Sequence, residues 1–449
     1  MWRWIWLSIN KWKLILEYEK LYLLILFIIS QNIYSQVPEP VSEQDRPIIL
    51  YNAQVHIGNG TIIENGYICF DSGKITHVGD FSNTILRNFE NHIQFDLNNK
   101  LVYPGLILPI SKVGLEDISA IRATRDHTEI GDINSNIRTL TSYNTDSDMI
   151  STFRFNGILL SQVTPDGDLI TGNSSIMMME GWNWEDAAYK VDNGIHFKWP
   201  RKTYPPSRRS GSTEFRSNTN YKSTVDKIHK FLIDSRSYFD RRDNIEEINL
   251  KLEAMLGVFS DEKKVYIHAN SREQIIESVQ TFKRHGINNL VIVGADDAFY
   301  TIDFIKENNL PILLNNIHRT PSRNQEDVDL PYKLPYLLYK EGILVGLTAS
   351  GSLHSQRNLP FLAGTSVAYG VPKEEALKMI SYNTAKILGI DNLTGSLEVG
   401  KDANIIVSKG DILDMRTSQI VHAFITGREI NLNGKQQILY DRFNRKYSN

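Results

Sequence analysis

The chain has 449 residues, of which 41% are hydrophobic and 22% charged, and its net charge is −3. That length can bury a large core, and the slight acidic balance excludes the basic field that nucleic-acid binding needs. The single cysteine, Cys69, excludes an intrachain disulfide and, in an alternating strand-like stretch, reads as a small buried apolar residue.

At the N-terminus Arg3, Lys11, Lys13 and Lys20 precede the apolar run Leu21–Ile29, and a polar segment with Ser35 and Gln36 follows. The run is short for a bilayer span and fits the apolar part of a secretory signal covering residues 1–35. The expected location is therefore periplasmic or extracellular; the alternative is a membrane anchor formed by the same segment left uncleaved. Residues 36–46 are polar with two prolines and read as an exposed linker.

From Pro47 short β-like runs begin: Ile48–His56, Gly66–Phe70 and Lys74–Val78, separated by Asn59-Gly60, Asn65-Gly66 and Ser72-Gly73, the residues tight turns require. The C-terminal runs Gly395–Ser408 and Gln419–Gly427 have the same character. Neither end can bury a sheet alone, so 47–103 and 393–445 are expected to pack into one small β-sandwich. Between them, the short apolar runs Gly157–Val163, Lys264–His268, Asn289–Val293, Leu310–Leu314 and Ile343–Leu347 read as buried parallel strands. They alternate with helical patterns at Glu273–Arg284, Tyr300–Asn308 and Pro372–Ile380, and with a last helix that Asn383 is expected to cap and that ends near Gly389. Such alternation is that of an α/β protein, either a β/α barrel or a doubly wound sheet. Residues 201–224, basic and rich in Pro, Ser and Gly, read as an exposed insertion.

Several motifs carry a resemblance. Pro104-Gly-Leu-Ile107 opens the barrel region, Gly167–Gly172 and Glu180-Gly-Trp182 lie in its first half, and Arg357–Gly364, Ala368–Gly370, Glu375–Leu377, Asn383–Gly389 and Gly395–Val407 follow in order. Together they resemble the amidohydrolase superfamily, in the branch of exported imidazolonepropionase-like proteins. The resemblance implies a TIM-like (β/α)8 barrel over 104–392, with the sandwich built from both chain ends. It also implies a divalent metal such as zinc at the barrel mouth, held by two histidines on strand 1, a lysine or carboxylate near strand 4, a histidine on each of strands 5 and 6, and an aspartate on strand 8.

Those positions are mostly vacated here. The strand-1 pair falls on Ile110 and Lys112, strand 6 offers Gly294 or a neighbour, and no acidic residue occurs from Gly342 through Lys373. His268 alone is retained, and one imidazole cannot hold a catalytic zinc. A complete metal site and a cofactor are therefore not expected; Glu116, Asp117, Asp296, Asp297 and His318 are the residues around which a rebuilt one would form. Lys112 could supply positive charge without a metal, with Glu116 or Asp117 as its acid partner. Lys112 and His268 are the candidate catalytic residues, and His318 and Arg319 are the candidate substrate contacts. His56, His77 and His422 fall in the small sandwich and read as structural. By resemblance the chain is a hydrolase of non-peptide C–N bonds, on a cyclic amide or N-acyl substrate. The alternative is a catalytically inactive exported binding or scaffold protein, with a small molecule in the barrel mouth, that pairs with an active relative or with itself.

Overall fold

In chain order the strands are β1 (Ile48–His56), β2 (Ile62–Asp71), β3 (Lys74–Asp80), β4 (Ile93–Pro104), β5 (Leu106–Ser111), β6 (Ile158–Val163), β7 (Ile170–Met178), β8 (Ala188–Lys198), β9 (Thr203–Tyr204) and β10 (Arg216–Ser217). They continue with β11 (Lys264–Ala269), β12 (Leu290–Gly294), β13 (Ile312–Leu314), β14 (Val345–Leu347), β15 (Ile405–Ser408), β16 (Ile420–Ile425) and β17 (Arg428–Glu429). The structure is a computed structural model, and it describes residues 39–204, 214–315, 317–321, 323, 325–349 and 351–448. These fall, apart from Glu39, in one unit, Pro40–Asn449. Residues 1–35, expected to be a secretory signal, lie outside the described residues. Among the described residues no helix is long and apolar enough to cross a membrane.

The two chain ends join through backbone ladders into a single seven-stranded sheet, in the order β17-β16-β15-β4-β1-β2-β3. The junction is β15 against β4, antiparallel, from Ile405 opposite Pro104 to Ser408 opposite Leu101. The sheet also curls: the Ile75 amide donates to the Lys401 carbonyl at 2.8 Å, and the Gly400 amide returns a bond to the Ile75 carbonyl at 2.8 Å. This brings β3 back toward the segment that feeds β15. Phe70 and Phe424 meet edge to face at 5.1 Å inside the curl, among Leu50, Ile68, Val102 and Val407. The expected sandwich is thus one folded-over sheet, because parallel pairing of β1 with β4 leaves β4 an edge for the C-terminal strands.

The second sheet has eight strands, β5 to β8 and β11 to β14, side by side in chain order. Seven run parallel, as expected for a β/α barrel, but β7 is antiparallel to both β6 and β8. The ring is nearly closed. At the seam between β14 and β5 the Thr348 hydroxyl donates to the Pro109 carbonyl at 2.7 Å, and the Ser111 hydroxyl donates to Gln356 Oε1 at 2.6 Å. The helices Tyr221–Asp240, Arg272–Arg284, Leu330–Lys340, Leu359–Ala368, Lys373–Met379 and Tyr382–Leu388 follow or separate the strands. Helix Arg272–Arg284 begins in a capping box: Ser271 Oγ accepts from the Gln274 amide and Gln274 Oε1 accepts from the Ser271 amide. Asn383 caps no helix; its side chain donates to the Val345 carbonyl, and the last of these helices ends at Gly389 with φ +70°. In the 201–224 stretch β9 pairs with β10, and a helix starts at Tyr221. The chain closes with a helix, Lys435–Tyr447, beyond the sheet.

Candidate functional site

In a barrel of this kind the C-terminal ends of the parallel strands form the mouth. Side chains two apart on a strand share a face. His196 and Lys198 on β8 therefore point the same way, as do Tyr266 and His268 on β11, and the ladder sets Tyr266 beside His196 and His268 beside Lys198. The Tyr266 and His196 rings stack at 4.7 Å and 8°. Gly194 permits this, since a Cβ there would lie 2.4 Å from the Tyr266 ring. His268 Nε2 is 3.0 Å from His196 Nδ1, and His196 Nε2 is 2.8 Å from the Ser174 hydroxyl.

Below them a buried neutral layer crosses the barrel. Gln162 donates to Ser174 Oγ at 3.0 Å, Ser174 donates to Asn193 Oδ1 at 3.0 Å, and the Asn193 amide donates to the Tyr266 hydroxyl at 3.1 Å. Desolvation lowers the pKa of His268 to about 4, helped by the Lys198 charge and opposed by Asp166. His196 is pushed well below its ordinary range by burial, then by His268 and Lys198. Both imidazoles are neutral at physiological pH.

Above this layer Lys112, just past β5, and Lys198, at the end of β8, converge on one carboxylate. Lys112 Nζ donates to Asp166 Oδ2 and Lys198 Nζ to Asp166 Oδ1. Lys198 also donates to the Gly167 carbonyl at 2.8 Å, and the Gly167 amide donates to Asp166 Oδ1 at 2.9 Å. Burial would raise the Asp166 pKa, but hydrogen bonds and charge from the two lysines outweigh it and hold the carboxyl well below the usual range. The acid partner of Lys112 is therefore Asp166, not Glu116 or Asp117. Glu116 lies 3.5 Å from His127 Nδ1, and Asp117 accepts from Asn144 at 3.2 Å. The bulge at Pro109-Ile110, where Ile110 has φ +56° and the β5–β6 register breaks, re-aims the chain after Leu108.

The other candidates are engaged elsewhere on the rim. His318 Nε2 is 2.7 Å from Thr365 Oγ1, and Arg319 Nε is 3.3 Å from Asp296 Oδ1. Asp297 serves a neighbouring helix. It accepts from the first amide of helix Arg272–Arg284 at 3.1 Å and pairs with Arg323 at 2.6 Å. The structure thus links Lys112 through Asp166 to Lys198, the ladder neighbour of His268, and engages His318 with Thr365 and Arg319 with Asp296. The residues missed in the sequence are Asp166, His196 and Lys198. A signal was present for the latter two: in Ile195-His-Phe-Lys-Trp199 apolar and polar residues alternate as they do in a half-polar strand.

A sequence model described as the Amidohydrolase family matches residues 333–431. The fold is similar to that of an amidohydrolase from Thermotoga maritima MSB8, at 22% identity and a TM-score of 0.76, over 86% of this chain and 99% of that one. Residues 333–431 thus carry the amidohydrolase-family pattern, and the chain as a whole has a fold similar to that of an amidohydrolase. More distant solved structures include molinate hydrolase (14% identity, TM-score 0.51, 87% of this chain and 96% of that one) and a Xaa-Pro dipeptidase with bound methionine (14%, 0.51, 86% and 100%). No curated protein matches the sequence.

The donor set at this mouth does not fit the metal that the resemblance implies. Among the described residues no three His, Cys, Asp or Glu side chains are grouped to hold an ion. Both Asp166 oxygens are committed to ammonium groups, and His268 Nε2 is committed to His196. A divalent cation placed between Lys112 and Lys198 would meet two positive charges and no open thiolate or imidazole.

Proposed function

We propose that this amidohydrolase-family protein is a metal-independent binding protein, catalytically silent as a hydrolase, that receives a small molecule at the barrel mouth. The observation that carries the reading is the Lys112–Asp166–Lys198 cluster. It supplies positive charge where the resemblance implies a cation, with both oxygens of its one carboxylate already taken by ammonium groups. Neutral His268 beside it offers a hydrogen-bonding edge to a ligand.

A second reading, hydrolysis of a cyclic amide or N-acyl bond, has support in the hydrolase names of the similar structures and in the mouth itself. A neutral imidazole could take a proton and an ammonium could polarise a carbonyl. The low pKa of His268 makes it a weak base and favours the first reading.

The deciding experiment is elemental analysis of protein incubated with zinc, manganese and iron and then desalted. Below about 0.1 equivalent of metal per chain, with no change of melting temperature on chelation, is expected; near-stoichiometric metal overturns the proposal. Turnover of an N-acyl or cyclic amide probe by the chelator-treated protein would favour the second reading over the first.

A further inference from the structure

The proposed function leaves the ligand class open, and the balance of charge and hydrogen-bond donors at the mouth constrains it. Two ammonium groups face one carboxylate, which leaves the cluster at +1. Their neighbours do not remove that excess. Glu116 stands opposite Arg125 across a β-bridge, and His268 and His196 are hydrogen-bonded to each other. Asp132 is paired with Lys227 at 2.8 Å.

The donor count agrees. A lysine ammonium has three N–H groups. Among the described residues Lys112 commits one, to Asp166, and Lys198 commits two, to Asp166 and to the Gly167 carbonyl. Three donors are left over. They are reachable, since Lys112, Asp166 and Lys198 are 33%, 30% and 36% exposed. Lys198 also lines a cleft of about 350 Å³ with Trp199, Leu169, Pro200 and Tyr204, an apolar wall beside a cation.

We propose, resting on the metal-independent reading above, that the barrel mouth binds a small monocarboxylate, its oxygens taken by the spare N–H groups of Lys112 and Lys198 and its apolar body lying along the Trp199 side of the cleft. Asp166 trims their charge so that one anionic group completes neutrality. Asp168, a carboxylate lining the same cleft, disfavours a dianion such as phosphate.

The test is calorimetric titration of the full protein with propionate, with propylamine and inorganic phosphate as controls. Saturable binding of propionate alone is expected, weakened at least about tenfold in Lys198→Met and in Lys112→Met. Asp166→Asn, which restores a full +2 at the mouth, is expected to tighten propionate several-fold and to admit phosphate. That gain cannot come from a misfolded barrel, so it guards against loss through unfolding in the lysine variants. No saturable propionate binding, equal binding of phosphate by the unaltered protein, or unchanged affinity in both lysine variants would overturn the assignment. Failure here with metal absent refutes only the ligand class, whereas bound metal refutes the reading beneath it.

Discussion

Acidification should destabilise this protein through a single imidazole to a degree that can be calculated. The folded pKa of His268 is about 4, against an ordinary 6.5, because the ring is desolvated and faces Lys198, which together outweigh the opposing charge of Asp166. A histidine whose pKa is lowered by folding gives stability that is present above the unfolded value. It is lost as pH falls toward the folded value, because the unfolded chain takes up a proton that the folded chain refuses. Between pH 7 and pH 5 that difference amounts to about 2 kcal/mol, using 1.36 kcal/mol per pKa unit. His196 acts in the same direction. Urea unfolding at about pH 7, 6 and 5 on the unaltered protein and on His268→Gln, which keeps a hydrogen-bonding group opposite His196, isolates the contribution. The variant is expected to lose about 2 kcal/mol less stability over that interval. Identical pH dependence in the two proteins would refute the argument that the barrel interior keeps His268 neutral.

Two further outcomes concern buried contacts elsewhere. Glu180, 2% exposed, pairs with Arg154, 5% exposed, at 2.5 Å and also accepts from the Val41 amide at 2.8 Å. Glu180→Ala leaves a guanidinium buried without its partner and should cost about 3–5 kcal/mol in chemical unfolding, far more than the loss of an exposed pair. Gly194→Ala puts a methyl group against the Tyr266 ring and the Lys264 carbonyl. It should destabilise by about 1–3 kcal/mol and disturb near-ultraviolet dichroism from Tyr266, with secondary structure retained.

The parts of the fold visible in the sequence are those whose local chemistry matches their environment. β11, β12 and β14 are short apolar runs because both of their faces are covered, so composition alone marks them. β7 is not marked, although every one of its residues is buried. Asn173, Ser174 and Ser175 face hydrogen-bond partners inside the protein, and their polarity reads as a loop until the partners are known. The same limit applies to the mouth. Lys112 stood out because it occupies a position where the resemblance implies a histidine. Asp166 is brought to it by the turn between β6 and β7 and Lys198 by the strand after β7, so the cluster exists only once an antiparallel hairpin is folded. His268 was legible as a strand-end imidazole; its pairing with His196 depends on the β8–β11 register, which no local pattern encodes.

The β4–β15 junction has a consequence for how the molecule is made. β4 is complete early in synthesis, yet its ladder partner is separated from it by the entire barrel. Until Ile405–Ser408 leave the ribosome, one side of β4 is an open edge able to accept a foreign strand. Closing so long a loop is entropically slow, so the nascent chain passes through a prolonged stage with a formed N-terminal meander and no lid on it. Loss of the last fifty or so residues would therefore do more than shorten the protein: it would leave every copy fixed in that adhesive, half-zipped condition.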